Sequence, residues 1–301
     1  MTRSRSRILS VISLQLGLIL LPGLAWADLV GQQSTCGTEP KKTVVALTGQ
    51  EKVVDLAEGV KTEAWTFNGI TPGPTIEVCE GDTVRIVLKN EGKVAHGLDS
   101  HAFRINATKF GPVEPGETLV YEKKVNAPGV FMYHCANGPL TDQHIKMGMY
   151  GVMIVYPRGQ KLRPAREIVV SENGVYGEPD PKGMIAPSTE RMDENRAYFV
   201  LYNGTLKHEP LEMKAGDLLR VYFVNAGPYT STFHVIGAIL DRAYEGGNPR
   251  NLVYDVQAYA VPAGSGGMFE VTMPEPGNYL IVDHDKLSQL PNGLGIPIVA
   301  R

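Results

Sequence analysis

Between Phe131 and Gly151 the chain reads FMYHCANGPLTDQHIKMGMYG, which places a thiol at Cys135, an imidazole at His144 and a thioether at Met149 on one strand-loop-strand segment. Thiolate and thioether are soft donors that select copper. Two imidazoles and a thiolate in a trigonal set, with a long axial thioether, make an electron-transfer geometry. The segment offers one imidazole to that set, so the second must come from elsewhere, and His96 is the natural candidate. His134 directly precedes Cys135. Successive side chains leave a strand on opposite faces, so His134 cannot share the Cys135 metal and is free to bind another across the backbone. Two metal sites would then be joined through one peptide bond.

These residues must be positioned by strands. The chain carries 33 Gly and 21 Pro among short alternating apolar runs, with no long stretch of helical period, and that pattern predicts an all-β protein. Strands are expected at Thr75–Val78, Thr83–Leu88, Leu119–Val125, Val130–His134 and Val152–Tyr156, and again at Ile168–Ser171, Ala197–Leu201, Leu218–Val224, Met268–Thr272 and Tyr279–Val282. Asp285–Leu290 reads as one short helix.

The two sets are copies of each other. Phe67-Asn68-Gly69 followed by Gly81-Asp82 recurs as Tyr202-Asn203-Gly204 followed by Gly216-Asp217, with the same spacing of 13 from Asn to Gly. Pro128-Gly129 recurs as Pro276-Gly277. Two tandem Greek-key β-sandwich domains are therefore expected, at residues 28–158 and 159–301. Between them, Pro157–Glu194 reads as the opening strand of the second domain followed by a turn-rich surface loop; a functional lid is the other reading. Counted from the Pro-Gly pairs, Cys135 corresponds to Asp283, so the second copy cannot build a thiolate site, although His284 follows directly.

The N-terminus reads as an export signal over residues 1–27: Arg3, Arg5 and Arg7, an apolar run from Ile8 to Leu24, and Ala25-Trp26-Ala27 as a small-x-small cleavage site. A retained membrane anchor is the other reading, since the run is near the lower length limit for a span. Cleavage would leave a chain with no membrane association. The sequence has 29 basic and 32 acidic residues for a net charge of −3, and losing three Arg takes it to −6. That balance argues against nucleic acid as a partner. With Cys135 spent on a metal, Cys36 and Cys79 form either a disulfide, as an oxidising compartment would permit, or two unpaired thiols.

Seven histidines occur, at 96, 101, 134, 144, 208, 234 and 284. Four interlock with Cys135. If the loop His96–His101 approaches the metal strand, His96 completes the first site and His101 joins His134 at the second, where a third His is needed to make an open catalytic site. His208, in the polar stretch Thr205–Pro210, reads as a surface residue, and Met147 as packing.

His-x-x-Asp-x-His at 96–101, His-Cys-Ala at 134–136, Gly-Met-Tyr-Gly at 148–151, Phe233-His234-Val235-Ile236-Gly237 and Val282-Asp283-His284 occur in this order. With them the chain resembles the copper-containing nitrite reductases, a family of two cupredoxin-like domains. The resemblance implies a type 1 copper on His96, Cys135, His144 and Met149 and a type 2 copper on His101, His134 and His284, one of each per subunit. It further implies that the type 2 site lies between subunits of a homotrimer. Asp99 and His234 match the family's proton-handling pair, and Ile236 the apolar residue over the type 2 copper. A periplasmic, dissimilatory-type enzyme reducing nitrite to nitric oxide is implied, fed by a small redox donor, a cytochrome c or a cupredoxin.

Ser100 stands where the family usually has an aromatic residue, and the loop Asn137–Gln143 lacks the usual Met and Trp. These departures touch packing, substrate access and donor docking, and leave the ligands intact. A two-domain multicopper oxidase is disfavoured: no His-x-His pair exists, and Ala136 follows Cys135. A non-enzymatic blue-copper electron carrier would need none of Asp99, His101, His234 and His284. A copper enzyme acting on another small nitrogen oxide or on hydroxylamine would keep the same fold, so only the site decides.

Overall fold

A computed structural model describes residues 36–106 and 109–301; the export segment at 1–27 lies outside the described residues. The strands form four sheets grouped as two sandwiches. In the first, Lys42–Ala57 pairs antiparallel with Val60–Phe67 and parallel with Thr83–Asn90, which in turn pairs with Thr118–Lys124. Facing it is a sheet of Ile76–Cys79, Tyr150–Tyr156, Gly129–His134 and the two-residue strand Asp99–Ser100. In the second, a six-stranded sheet runs in the order Phe199–Tyr202, Arg166–Val175, Leu218–Asn225, Ser265–Thr272, Leu240–Glu245, Leu252–Val256. It packs on a five-stranded sheet that carries Ser231–Ile236 beside Gly277–Asp283.

The metal strand Gly129–His134 is buried on both faces, which is why its sequence is almost continuously apolar. Phe131, Tyr133 and Cys135 face the core of the first sandwich with Phe67, Ile86 and Met153. Val130 and Met132 face the other way, onto Val169, Tyr222, Val224 and Met268 of the second sandwich. Burying each such side chain contributes about 1.5–3 kcal/mol. The alternation thus sends Cys135 and His134 to different layers of the molecule.

Each of the ten expected strands overlaps an observed one. The hairpin Lys42–Ala57 and Val60–Phe67 was not among them, because its polar, partly exposed residues blur the period-2 signal. The segment after Pro157 differs from a plain surface loop. Met184–Ile185 pairs with Lys61 and Thr62 of the first sandwich, Ile185 is fully buried against Leu56 and Leu201, and Ser188 caps a short helix at Thr189–Asp193. His284–Asn292 forms 3-10 turns in place of the expected helix. His208 is buried, not a surface residue: the neighbouring Thr205 and Leu206 are drawn onto the first sandwich by donating to the Leu56 carbonyl. Cys36 and Cys79 form a disulfide, leaving Cys135 as the free thiol.

Candidate metal centres

Three donor atoms converge at one end of the first core. Cys135 Sγ lies 3.0 Å from His144 Nδ1 and 3.8 Å from His96 Nδ1, and the two nitrogens are 3.4 Å apart. Atoms in trigonal contact with one ion at about 2.1 Å would be separated by about 3.6 Å, so the set fits a metal of that size. All three residues and Met149 are buried. Gly97 N–H donates to Cys135 Sγ at 3.2 Å, and the approach requires glycine, because a Cβ there would collide with the Ala136 carbonyl.

His144 sits on a helical turn, Thr141–Lys146, where the sequence suggested a loop. Thr141 Oγ1 closes the turn by accepting from Asn137 N and donating to Gly138 O, and Lys146 Nζ anchors it to Met192 O at 2.7 Å. The chain then returns to the strand, with Met149 N donating to His144 O and Cys135 N to Met149 O. This ladder brings Cys135 Sγ and His144 Nδ1 together and buries Met149 in the same core, its methyl beside the His96 ring at Gly49.

Without a metal the buried donors are uncharged. Burial pushes the Cys135 thiol up to about 12, with the Gly97 N–H working against it, so the thiolate forms here only beside a positive charge such as a metal. Burial, reinforced by His96, pushes His144 down to about 4. His96 is likewise lowered by burial, against the pull of Glu51. Both rings are neutral near pH 7 and ready to ligate.

On the opposite face, His101 Nε2 and His134 Nε2 are 3.1 Å apart. His134 Nδ1 donates to Cys135 O and His101 Nδ1 to Gly264 O, each at 2.9 Å, so both rings present Nε2 as the free donor. Asp99 Oδ2 is 3.9 Å from His134 Nε2, and Asp99 pairs in register with His134. These three residues form the second cluster of potential ligands. His284 is exposed and joins neither cluster within this chain. Its ring lies 5.4 Å from that of His234, whose Nδ1 donates to Gln257 O at 2.6 Å. Ile236 is 42% exposed, two residues along the same strand face.

The expected residues therefore fall into two groups on the first sandwich and one, His234, Ile236 and His284, on the second. Unforeseen were Trp65, whose ring centroid is 4.2 Å from that of His144, Glu51 behind His96, and the Gly264 carbonyl. They come from cross-strand and cross-domain contacts that leave no local sequence signal.

Two cupredoxin-type sandwiches with a buried Cys-His-His-Met cluster and an imidazole pair one residue away along the same strand define a class of two-domain copper protein. Residues 48–160 match the multicopper oxidase family. The copper-containing nitrite reductase of Neorhizobium galegae is 30% identical over 277 residues, covering 82% of this chain and 72% of the relative. That of Neisseria meningitidis is 34% identical over 261 residues and 81% of this chain. The chain spans 65% of the length of the Neisseria relative. The solved copper nitrite reductase of Nitrosomonas europaea superposes with a TM-score of 0.79 at 37% identity, over 86% of this chain and 94% of that one. The chain belongs to the copper-containing nitrite reductase family.

Proposed function

We propose that the chain is the subunit of a periplasmic, homotrimeric nitrite reductase that converts nitrite, one electron and two protons to nitric oxide and water. The observation that carries this reading is the thiol-imidazole cluster backed, across one peptide bond, by an imidazole pair with the Asp99 carboxylate 3.9 Å from it. His96, Cys135, His144 and Met149 would hold a type 1 copper, and His101 and His134 a type 2 copper, completed by His284 of a second copy. The first metal would supply one-electron exchange with a small donor protein, a cytochrome c or a cupredoxin, and the second a Lewis acid that binds nitrite.

In the reaction one N–O bond breaks, the nitrogen gains one electron, and the departing oxygen takes both protons as water. The chain's part is to bring those protons to one oxygen. Asp99, in register with His134 on the neighbouring strand, would hold a proton on Oδ2 beside the imidazole pair. His234, anchored through Nδ1 to the Gln257 carbonyl, keeps Nε2 for proton exchange. Ile236 would limit how the substrate lies in the pocket. His284 and Ile236 are exposed and His234 is half-buried on the free chain, as residues awaiting a second sandwich's partner surface would be. The periplasmic assignment rests on the apolar run Ile8–Leu24 and the Ala25-Trp26-Ala27 site.

The test is anaerobic nitric oxide release from nitrite by the copper-loaded protein with a reduced artificial donor. The parent should release it, and Asp99→Asn should lose about 100- to 10,000-fold with copper content unchanged. No release from a protein loaded at both sites would remove the assignment.

A further inference from the structure

His96 turns Nδ1 toward Cys135 and His144. Its Nε2 points the other way, buried and without a hydrogen-bond partner. The polar atom that faces it is Glu51 Oε1, at 3.7 Å. Glu51 is itself held in place: Oε1 accepts from Lys93 N at 2.8 Å and from Val94 N at 3.2 Å, and Oε2 from Lys93 N at 3.0 Å. Glycines open the way to both sides of the ring. A Cβ on Gly92 would stand 2.8 Å from Glu51 Oε1 and 3.0 Å from His96 Nε2, and one on Gly49 would stand 3.0 Å from His96 Cδ2 and 3.0 Å from the Met149 methyl. Glu51 lies opposite Trp65 in register, and Trp65 packs on His144, so a single strand pair backs both imidazoles. The backing is unequal in charge, because the polar group nearest His144 Nε2 is the neutral Asn137 amide at 3.4 Å.

We propose that Glu51 is a positioning residue of the buried copper centre: its carboxylate, the charged group facing His96 Nε2 at 3.7 Å, holds the ring proton on Nε2, commits Nδ1 to the metal, and adds a negative charge that favours the oxidised ion. A partner that orients a ligating imidazole and raises its basicity tunes the metal from outside the ligand set. The inference rests on reading His96, Cys135, His144 and Met149 as copper ligands. Glutamine at position 51 would keep an acceptor oxygen and remove the charge, whereas alanine would remove both.

The experiment is an anaerobic redox titration of the copper-loaded full-length protein, followed by the thiolate-copper absorption band. Glu51→Gln keeps the band and raises the reduced-to-oxidised ratio at a given potential about tenfold, a midpoint about 59 mV higher. Glu51→Ala moves the midpoint the same way and loses copper to a chelator about 10- to 100-fold more readily. A Glu51→Gln ratio within about twofold of the parent's at the same potential overturns the proposal. A parent that shows no thiolate-copper band overturns the copper reading beneath it.

Discussion

The two sandwiches share one frame and fill it with opposite chemistry. In the first, Asn68 accepts from Thr48 N at 2.7 Å and Asn90 ties the Val94 and Val113 carbonyls. In the second, Asn203 accepts from Ser171 N at 2.7 Å and Asn225 ties the Tyr229 and Val261 carbonyls. Gly49 pairs with Asn90 as Glu172 pairs with Asn225, so Glu172 occupies the place that Gly49 leaves open for the His96 ring. The same frame carries His96 to Ser231, Asp99 to His234, His101 to Ile236 and Cys135 to Asp283. Where the first sandwich gathers soft donors, the second gathers hard oxygens around an ammonium. Lys286 Nζ reaches Glu172 at 2.9 Å, the Thr230 carbonyl at 3.2 Å and also Asp283, while Ser231 Oγ donates to Glu172 at 2.9 Å. A side-chain cation stands in the second copy where the first would hold a metal. Freed from metal binding, that copy presents its rim residues His234, Ile236 and His284 outward.

If the ammonium closes the second site, Lys286→Met leaves Glu172 and Asp283 buried without a counter-charge. The loss should be about 3–5 kcal/mol in denaturant unfolding, with the thiolate-copper band of the first sandwich unchanged. A cost no greater than an ordinary surface substitution would mean that the cluster is incidental.

One ammonium serves two carboxylates, and pH exposes the mismatch. Burial raises Asp283, but Lys286 and the Thr232 and Asp285 amides outweigh it and hold Asp283 below its usual range. Burial and the nearby Asp283 push Glu172 up to about 7. A carboxyl raised on folding binds more protons in the native state, so its contribution is full below about pH 4.5 and is lost as pH rises through about 7. The parent should lose on the order of 2–3 kcal/mol across that window relative to Glu172→Gln, measured as unfolding free energy against pH. Parallel pH profiles for the two proteins would contradict the shift.

The shared frame itself should show the smallest and most even effects. Asn68 and Asn203 both adopt the left-handed backbone, with φ of 58° and 48°, and each accepts a bond from a neighbouring strand. Asn68→Ala and Asn203→Ala should each cost about 1–2 kcal/mol, through strain and a lost hydrogen bond, and calorimetry should find the two alike. A cost confined to one of them would break the equivalence.

The residues visible in the sequence were those whose relationship is local. Cys135 and His134 are consecutive, and the two-residue period of a strand suffices to separate their sites. Asn68-Gly69 and Asn203-Gly204 carry the repeat because a tight turn demands that residue pair. Glu51 and Trp65 were invisible because each meets its site across a sheet, and charged or aromatic strand residues ordinarily face solvent or core; Lys286 was invisible because its second carboxylate, Glu172, lies 114 residues away in sequence. His208 misled for the same reason: its polar neighbours suggested a surface, while the packing of Thr205 and Leu206 on Leu56 buries it.

Two imidazoles of one first sandwich and His284 of another chain's second sandwich are proposed to make one catalytic site. This can be tested by co-assembling His101→Ala and His284→Ala chains, each without nitrite reductase activity alone. In mixed trimers, sites that pair the first sandwich of a His284→Ala chain with the second of a His101→Ala chain regain all three ligands. Recovery of about a quarter of the parent's nitric oxide release is expected at equal mixing. No recovery in trimers shown to contain both chains would place His284 outside any shared site and contradict the proposal.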